Sequence, residues 1–482
     1  MREEILVNAG LREVRAALVA DGILQELLIE RNTQRGLLGN IYKGKIIRVL
    51  PGMQAAFVEV GLKRTAFLHA SNIATNDTDE VPDISKLVHE GEKLLVQIIK
   101  EPLGDKGARL TTSITIPSRY LVLLPGKATV GVSARIENDD ERHRLKEIVE
   151  QRLSVDSQAG YIVRTAAEGV PAEALRADAL FLEKLWNSVR ERAGTVKGGA
   201  LVHEDLPLDV RIVRDMLHPE VDRVRVDSES SLKMMQEFAG QFMPEMQSVL
   251  ELYAGRRPIL DLYGIEDEIE KALERKVELK SGGYLIFDQT EAMTTVDVNT
   301  GAFVGRSSPE DTAFRTNLEA AVAIARQLRL RNLGGIIILD FIDMETESHR
   351  EQVLAALSGA LDDDRATSQI AQVSPLGLVE MTRKRTRDSL EHLTCEPCPT
   401  CRSTGYIKTA ETVCYEIFRE ILRQHRQFDL QELVVLAHDN VVEMLLDEEA
   451  PALAELEELT GKTIRLQAQA LNSQNEFDVV PV

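Results

Sequence analysis

The sequence predicts a protein of several domains that combines α+β and α/β architecture. Its 482 residues are enough for roughly two to four domains. The hydrophobic content of 44% supplies several buried cores, which excludes a disordered or fibrous chain. Short strands punctuated by glycine dominate the N-terminal part, whereas strands alternate with helices farther along. The formal net charge of −21 argues against a uniformly basic nucleic-acid coat protein but not against a local binding site.

The N-terminal part is predicted to be a β-hairpin followed by a small barrel. Residues 13–19 and 23–30 are strand-like and flank Asp21-Gly22, a dipeptide that provides the positive φ angles of a tight turn. Five short strands between residues 39 and 116 suit an OB-type barrel. A new strand is predicted at residues 207–210, and the region that starts there and closes with residues 258–275 is the expected partner of the hairpin. Residues 38 to about 208 would then be inserted into a discontinuous first domain.

Residues 276–392 are predicted to form an α/β domain, which carries the strongest candidate site. Asp297 and Asn299 alternate along one strand and therefore point to the same face. Asp340 ends the next apolar strand, and Asp343 follows it. Ligand sites of open α/β sheets collect at the carboxyl ends of strands, where two carboxylates suit a hard cation such as Mg²⁺. The alternative is that these aspartates only cap loops.

Basic and aromatic residues provide possible contacts for a nucleic acid. Arginine-rich runs at residues 326–331 and 383–387 could bind a polyphosphate backbone, or they could be ordinary solvated surface. In the barrel, Phe57 and Phe67 are candidates for base stacking, with Lys106 among the nearby cations. The alternative for both phenylalanines is a place in the core.

Three of the four cysteines lie within seven residues and predict a metal site rather than a disulfide framework. Cys395, Cys398 and Cys401 form two overlapping CxxC spacings, which are typical of a zinc knuckle. Zinc normally takes four ligands, so either His392 completes the set or two chains share the metal. A redox pair is the alternative. Cys414 is predicted to be a buried small hydrophobic residue.

The order of the longer motifs resembles the ribonuclease E/G family of bacterial endoribonucleases. The motifs are GNIYKGKI (39–46), AAFVEVG (55–61), YIVRT (161–165), VDVNTG (296–301), TNLEAA (316–321), LRNLGGIIILDFIDM (330–344), LGLVEMTRKR (376–385) and CPTC (398–401). The resemblance implies an RNase H-like domain (1–37 and 209–275) interrupted by an OB-fold RNA-binding domain (38–118) and a 5′-phosphate sensor (119–208). It further implies a DNase I-like catalytic domain (276–392), a zinc link (393–408) and a small C-terminal domain (409–482).

The resemblance also implies roles for individual residues. Asp297 and Asp340 would hold a catalytic magnesium, with Asn299 supporting them, and Cys398 and Cys401 would share one zinc with a second subunit. Phe57, Phe67 and Lys106 would contact RNA, and the 5′-sensor would consist of Val122, Arg135, Arg164 and Thr165, with Arg135 on a strand. One departure is Thr367, which stands where the family usually supplies a further basic side chain to the sensor; either the 5′-phosphate preference is weaker or Arg365 substitutes.

The function implied is that of a magnesium-dependent endoribonuclease acting on single-stranded, AU-rich RNA and favouring a 5′-monophosphate. Maturation of ribosomal RNA 5′ ends and turnover of messenger RNA are the expected roles, in a cytoplasmic homodimer or homotetramer. No signal peptide or membrane span is expected, because no apolar stretch is long enough. The alternative is a non-catalytic RNA-binding or assembly protein with a vestigial metal site.

Overall fold

The chain consists of two compact units, residues 1–387 and 388–482, and each is described by itself. The computed structural model describes residues 2–31, 36–74, 83–102, 107–151, 159–301, 309–362, 364–427, 432–469 and 473–481. Within these ranges, none of the helices combines the length and the apolar character needed to cross a bilayer.

The N-terminal strands form an antiparallel meander, and the predicted hairpin is confirmed. Asp21 and Gly22 have φ angles of 49° and 80°, as the tight turn between the second and third strands requires. Ile5 and Val7 of the first strand point into the core of this sheet. The strands are β1 (Glu3–Ala9), β2 (Glu13–Ala20) and β3 (Ile23–Arg31).

Five strands then close the predicted barrel. They pair in the order β4 (Ile41–Leu50), β5 (Ala55–Glu59), β6 (Ala66–His69), β8 (Arg109–Thr111) and β7 (Lys93–Lys100), and β7 pairs back onto β4. Gly44 allows the strands to approach closely, because a Cβ at this position would lie 2.6 Å from Cγ1 of Val58. Helix α1 (Ile84–Leu87) lies between β6 and β7 in the chain.

A four-stranded sheet backed by two helices follows the barrel. Its strands pair in the order β11 (Val130–Val132), β12 (Ala159–Val163), β10 (Leu121–Pro125) and β9 (Ile116–Pro117). The last strand of this region, β13 (Ala200–His203), is not part of this sheet and pairs with β4 of the barrel. The buried carboxylate of Asp178 on the longer helix accepts the N–H groups of Tyr120 and Leu121, which fixes the start of β10. The two helices are α2 (Asp139–Glu150) and α3 (Ala172–Thr195).

The next segment returns to the N-terminal sheet. The strand predicted at 207–210 is wrong: these residues begin a helix, because Pro207 takes the N-cap and Leu208, Ile212 and Val213 follow helical spacing into the core. The strand partner of β1 lies at Val221–Val226, and the pairing is parallel. The elements are α4 (Leu208–Asp215), β14 (Val221–Val226), α5 (Glu229–Phe242), β15 (Leu250–Leu252), α6 (Ile259–Leu262) and α7 (Ile265–Lys271), and the sheet order is β15–β14–β1–β2–β3.

The last part of the first unit is a six-stranded mixed sheet with two helices packed on one face. Leu285, Val296 and Leu339 point toward these helices, whereas Asp297 and Asp340 lie on the opposite face. The elements are β16 (Lys276–Glu278), β17 (Tyr284–Gln289), β18 (Met293–Asn299), α8 (Pro309–Leu330), β19 (Gly335–Asp340), α9 (Glu347–Leu361), β20 (Ser368–Val373) and β21 (Leu378–Arg383), and the order is β16–β17–β18–β19–β21–β20.

The second unit is a three-stranded sheet packed with helices. Cys414 is fully buried in its core, as predicted for a small hydrophobic residue, and burial raises the pKa of its thiol to about 11. The elements are α10 (Leu390–Thr394), α11 (Ala410–Gln427), β22 (Glu432–Ala437), α12 (Asp439–Leu446), α13 (Ala450–Thr460), β23 (Thr463–Ala468) and β24 (Phe477–Pro481), with strand order β23–β22–β24.

Candidate active site

The two candidate catalytic aspartates are direct neighbours. Strands β18 and β19 are parallel, and their register pairs Asp297 with Asp340. Both side chains are exposed on the face of the sheet that α8 and α9 leave open. Parallel strands end at the same edge of a sheet, so both carboxylates stand at the carboxyl ends of their strands. The sheet thus brings together two residues that lie far apart in the chain.

Asn299 and the local charges define the electrostatics of this pair. Nδ2 of Asn299 donates to Oδ2 of Asp297 at 2.9 Å, as the alternation along β18 predicts. The pKa of Asp340 is raised, first by burial and then by the negative charges of Asp297 and Asp343. In the described residues, no group of three or more His, Cys, Asp or Glu side chains could hold a metal ion. The site therefore offers a metal ion two carboxylates, those of Asp297 and Asp340.

The barrel presents an aromatic pair between cations. Phe57 and Phe67 are cross-strand partners, and their half-buried rings meet edge to face with centroids 6.2 Å apart. Arg48 is the partner of Phe57, and Arg109 is the partner of both Phe67 and Lys100. The three cations are exposed, so the row Arg48–Phe57–Phe67–Arg109–Lys100 crosses the outer face of the barrel.

Sequence reasoning missed the cations of this row. Side chains alternate between the core and the outer face along β4, β7 and β8. This alternation, together with the register of the strands, would have placed Arg48, Lys100 and Arg109 on the outer face. Lys106, the predicted RNA contact, lies outside the described residues.

The predicted sensor residues lie around strands β10 and β12, and one of them is already engaged. Val122 is half-buried on β10 and pairs with Ile162. Arg164 follows β12, and its Nη2 donates to Oδ1 of Asp215 at 2.7 Å while Nη1 donates to the Ser118 carbonyl. The guanidinium groups of Arg214 and Arg164 hold the pKa of Asp215 down at about 2, despite burial. Asp215 is thus a partner that the sequence did not indicate.

Arg135 and Thr165 follow the ends of the paired strands β11 and β12. Arg135 is in the turn after β11, not on a strand, because the chain turns at Ser133, whose carbonyl accepts the N–H of Ile136. The hydroxyl oxygens of Ser133 and Thr165 are 3.0 Å apart. Nη2 of Arg135 donates to the carbonyl of Asp364 at 3.0 Å, which brings the segment that contains Thr367 to this region.

Most of the arginines in the two basic runs are structural. Arg326 pairs with Glu268 at 2.6 Å, and Arg329 donates to the carbonyl of Ala360. Arg331 is buried and donates to the carbonyl of Glu274, while Arg383 forms a buried ion pair. The guanidinium groups of these arginines bond to other groups of the chain. This favours a structural role for them over the phosphate-binding role that the sequence left open.

The cysteine cluster is at the start of the second unit. The backbone N–H of Cys401, with that of Thr400, donates to the thiol of Cys398 and holds its pKa below the usual value. Nδ1 of His392 lies 2.9 Å from Oγ of Ser389, a contact that by itself leaves Nε2 able to bind a metal. Since no third potential ligand joins Cys398 and Cys401 among the described residues, one chain offers two sulfur ligands.

Comparisons with known proteins agree with this architecture. The model of the Ribonuclease E/G family matches residues 115–386, the S1 RNA binding domain matches residues 38–113, and the RNase E/G thioredoxin-like domain matches residues 397–481. Ribonuclease G of Salmonella typhimurium (strain SL1344) is 55% identical over 100% of both chains. Ribonuclease G of Haemophilus influenzae is 50% identical over 99% of both chains, and Ribonuclease E of Escherichia coli (strain K12) is 38% identical over 94% of this chain and 44% of its own.

Proposed function

The chain belongs to the ribonuclease E/G family and is an endoribonuclease, and from this premise we propose that it depends on magnesium, cuts single-stranded, AU-rich RNA and favours a 5′-monophosphate. The proposal extends to 5′-end maturation of ribosomal RNA and to messenger RNA turnover in the cytoplasm. The observation that carries it is the register that makes Asp297 the neighbour of Asp340.

The donor set suits magnesium. Two carboxylates are the usual protein contribution to an ion that keeps several of its waters. Burial and then the repulsion from Asp297 and Asp343 raise the pKa of Asp340; a cation would relieve the repulsion, so the pair gains from binding one. When bound, magnesium supplies an oriented water for in-line attack and stabilises charge on the phosphoryl oxygens. Asn299 keeps the carboxylate of Asp297 in one orientation through its amide hydrogen bond.

The row of residues on the barrel supports the choice of a single strand as substrate. Unpaired bases can stack on Phe57 and Phe67, and this contact is worth about 1–3 kcal/mol per base. Arg48, Arg109 and Lys100 on either side would contact the phosphates. A duplex does not expose its bases for stacking, so this face favours single-stranded RNA.

The preference for a 5′-monophosphate is proposed from the sensor region. Arg164 provides a guanidinium suited to bidentate phosphate contacts, and the Thr165 hydroxyl lies next to it in sequence. Because Arg164 is paired with Asp215, a phosphate would have to share or replace that carboxylate. With Thr367 in place of a basic side chain, we propose a modest preference.

Zinc and the oligomer complete the proposal. Cys398 and Cys401 of one chain supply half of a tetrahedral zinc site, so the same pair from a second chain would complete it and join a homodimer, with a homotetramer as the larger assembly. The lowered pKa of Cys398 supports metal binding, because the thiolate is the ligand form.

Cleavage of a labelled single-stranded oligonucleotide tests the catalytic assignment. We expect Asp297→Asn to reduce cleavage in magnesium by a factor of about 100 or more. Asp343→Asn is the matched control, because Asp343 lies near Asp340 but outside the pair, and it should reduce cleavage far less. Wild-type rates for Asp297→Asn would remove the site. RNA binding without cleavage in the wild type would favour the non-catalytic alternative, which the adjacent aspartates argue against.

A comparison of 5′ ends tests the sensor. One RNA is prepared with a 5′-hydroxyl and with a 5′-monophosphate and is cleaved by wild type and by Arg164→Ala. We expect the monophosphate to be cut faster by wild type only. Equal rates for both RNAs with wild-type protein would contradict the preference.

A further inference from the structure

The chain that follows Asp340 is held at one point by a buried asparagine of α8. Nδ2 of Asn317 donates to the carbonyl of Ile342 at 2.7 Å, and Oδ1 of Asn317 accepts the Ile342 N–H at 3.0 Å. Asn317 is 0% exposed, so water does not compete for these bonds. One side chain therefore satisfies both backbone groups of a residue two positions after Asp340.

A carboxylate on the same helix holds the chain at a second point. Glu310 accepts the N–H groups of Glu345 at 3.1 Å and Thr346 at 3.2 Å, and its Oε1 lies 2.9 Å from Nδ1 of His349. These contacts lower the pKa of Glu310 to about 2, the Glu345 N–H being the largest cause. Glu310 and Asn317 are seven residues apart, which is two helical turns, so both lie on one side of α8.

A third anchor lies between these points and Asp340. Phe341 is 6% exposed and belongs to the core beneath the sheet. Residues 341, 342, 345 and 346 are thus all fixed from the α8 side. Asp340 and Asp343 face solvent instead, where their like charges repel each other and Asp297.

We propose that α8 sets the position of Asp340 against this repulsion, with Asn317 as its positioning residue. The inference rests on the proposed function, in which Asp340 and Asp297 form the catalytic pair. Two carboxylates can bind one cation together only if the distance between them is fixed. A misplacement of a catalytic group by about 1 Å can lower the rate about 100-fold. Asn317 would act through the backbone of Ile342 and touch neither RNA nor metal.

Asn317→Asp tests the proposal with almost no change in volume. The variant places a carboxylate oxygen against the Ile342 carbonyl, where the wild-type amide donates. We expect kcat to fall by about 10- to 100-fold with the KM for RNA within about twofold. We also expect faster amide hydrogen exchange of residues 341–346 in metal-free protein and weaker Mn²⁺ binding measured by electron paramagnetic resonance.

Two further variants make the test specific. Thr316→Val removes an equally buried polar group from the neighbouring residue, whose hydroxyl donates to the Thr312 carbonyl within α8 and not to the chain after Asp340, and should leave kcat, exchange and Mn²⁺ binding unchanged. Glu310→Gln changes a partly exposed side chain and should fold normally. It should alter the same three measurements as Asn317→Asp, to a smaller extent.

The outcomes separate this inference from the proposed function. Normal exchange and Mn²⁺ binding in Asn317→Asp, with a loss of activity explained by a smaller folded fraction, would overturn the positioning role. If Asp340→Asn abolishes cleavage while Asn317→Asp keeps wild-type kcat, only the inference fails. If Asp340→Asn cleaves normally, the catalytic pair itself is wrong.

Discussion

The buried ion pair between Arg383 and Asp364 provides the sharpest test of how the basic residues are used. Nε and Nη2 of Arg383 donate to the two carboxylate oxygens of Asp364 at 2.6 and 2.9 Å, and Nη1 donates to the carbonyl of Leu333 at 2.7 Å. The two side chains are only 4% and 3% exposed. Asp364 also accepts the N–H of Ala366.

Arg383→Met removes the cation and leaves Asp364 buried. Breaking a buried pair from one side costs about 3–5 kcal/mol, because the remaining charge has no compensating partner. With a urea m-value near 3 kcal/mol/M, the unfolding midpoint should fall by about 1–2 M. The double variant Arg383→Met/Asp364→Asn should recover much of this loss, because no charge then remains buried while an acceptor for Ala366 is kept.

The assay combines urea unfolding with RNA binding at a fixed salt concentration. Lys384→Met is the matched control: the adjacent side chain is exposed and should leave the midpoint unchanged. The reasoning would be refuted if Arg383→Met unfolded at the wild-type midpoint but bound RNA more weakly. Arg383 would then contribute to the RNA-binding surface and not to the core.

Three further predictions concern the sensor, the barrel and the cysteines. The pKa of Asp215 is about 2 in the folded protein against an ordinary 3.8, so its ionised form should contribute about 2 kcal/mol to the free energy of unfolding above pH 4, and this contribution should be lost as the pH falls toward 2. Asp215→Asn should flatten this part of the profile of stability against pH. A profile that Asp215→Asn leaves unchanged would contradict the ion pair with Arg164 and Arg214. Phe67→Ala should weaken binding of a single-stranded oligonucleotide by about 1–3 kcal/mol in fluorescence anisotropy, and unchanged affinity would place Phe67 outside the interface. Cys398→Ser should lose zinc and the dimer in metal analysis and sedimentation, whereas Cys395→Ser should keep both; retention of zinc by Cys398→Ser would exclude it as a ligand.

Local patterns predicted the features whose physical cause is local. The Asp21-Gly22 turn needs only the φ preferences of two residues, and the two phenylalanines of the barrel follow from alternation along short strands. The position of Asp340 at the end of an apolar strand was equally readable. In each case the determining interactions involve residues close in the chain.

The other features depend on partners that are distant in sequence. Arg326 was assigned to a possible phosphate-binding run, yet its partner Glu268 lies 58 residues away. Residues 207–210, where the helix Leu208–Asp215 begins, are predicted as a strand because so short an apolar pattern fits both the helical and the strand period without the core it faces. The ion pair between Arg164 and Asp215 depends on the fold, which brings the end of α4 next to the end of β12.

The pairing of β1 with β14 has a consequence for folding during synthesis. Glu3 is matched with Val221, so β1 cannot complete its sheet until the ribosome has added about two hundred further residues. At about 5–20 residues per second, this delay is roughly 10 to 40 s. The barrel has all five of its strands within residues 41–111 and can close during that interval. The edge of β1 in the N-terminal meander meanwhile stays unpaired, which makes it a site for transient chaperone protection or misassociation on the ribosome.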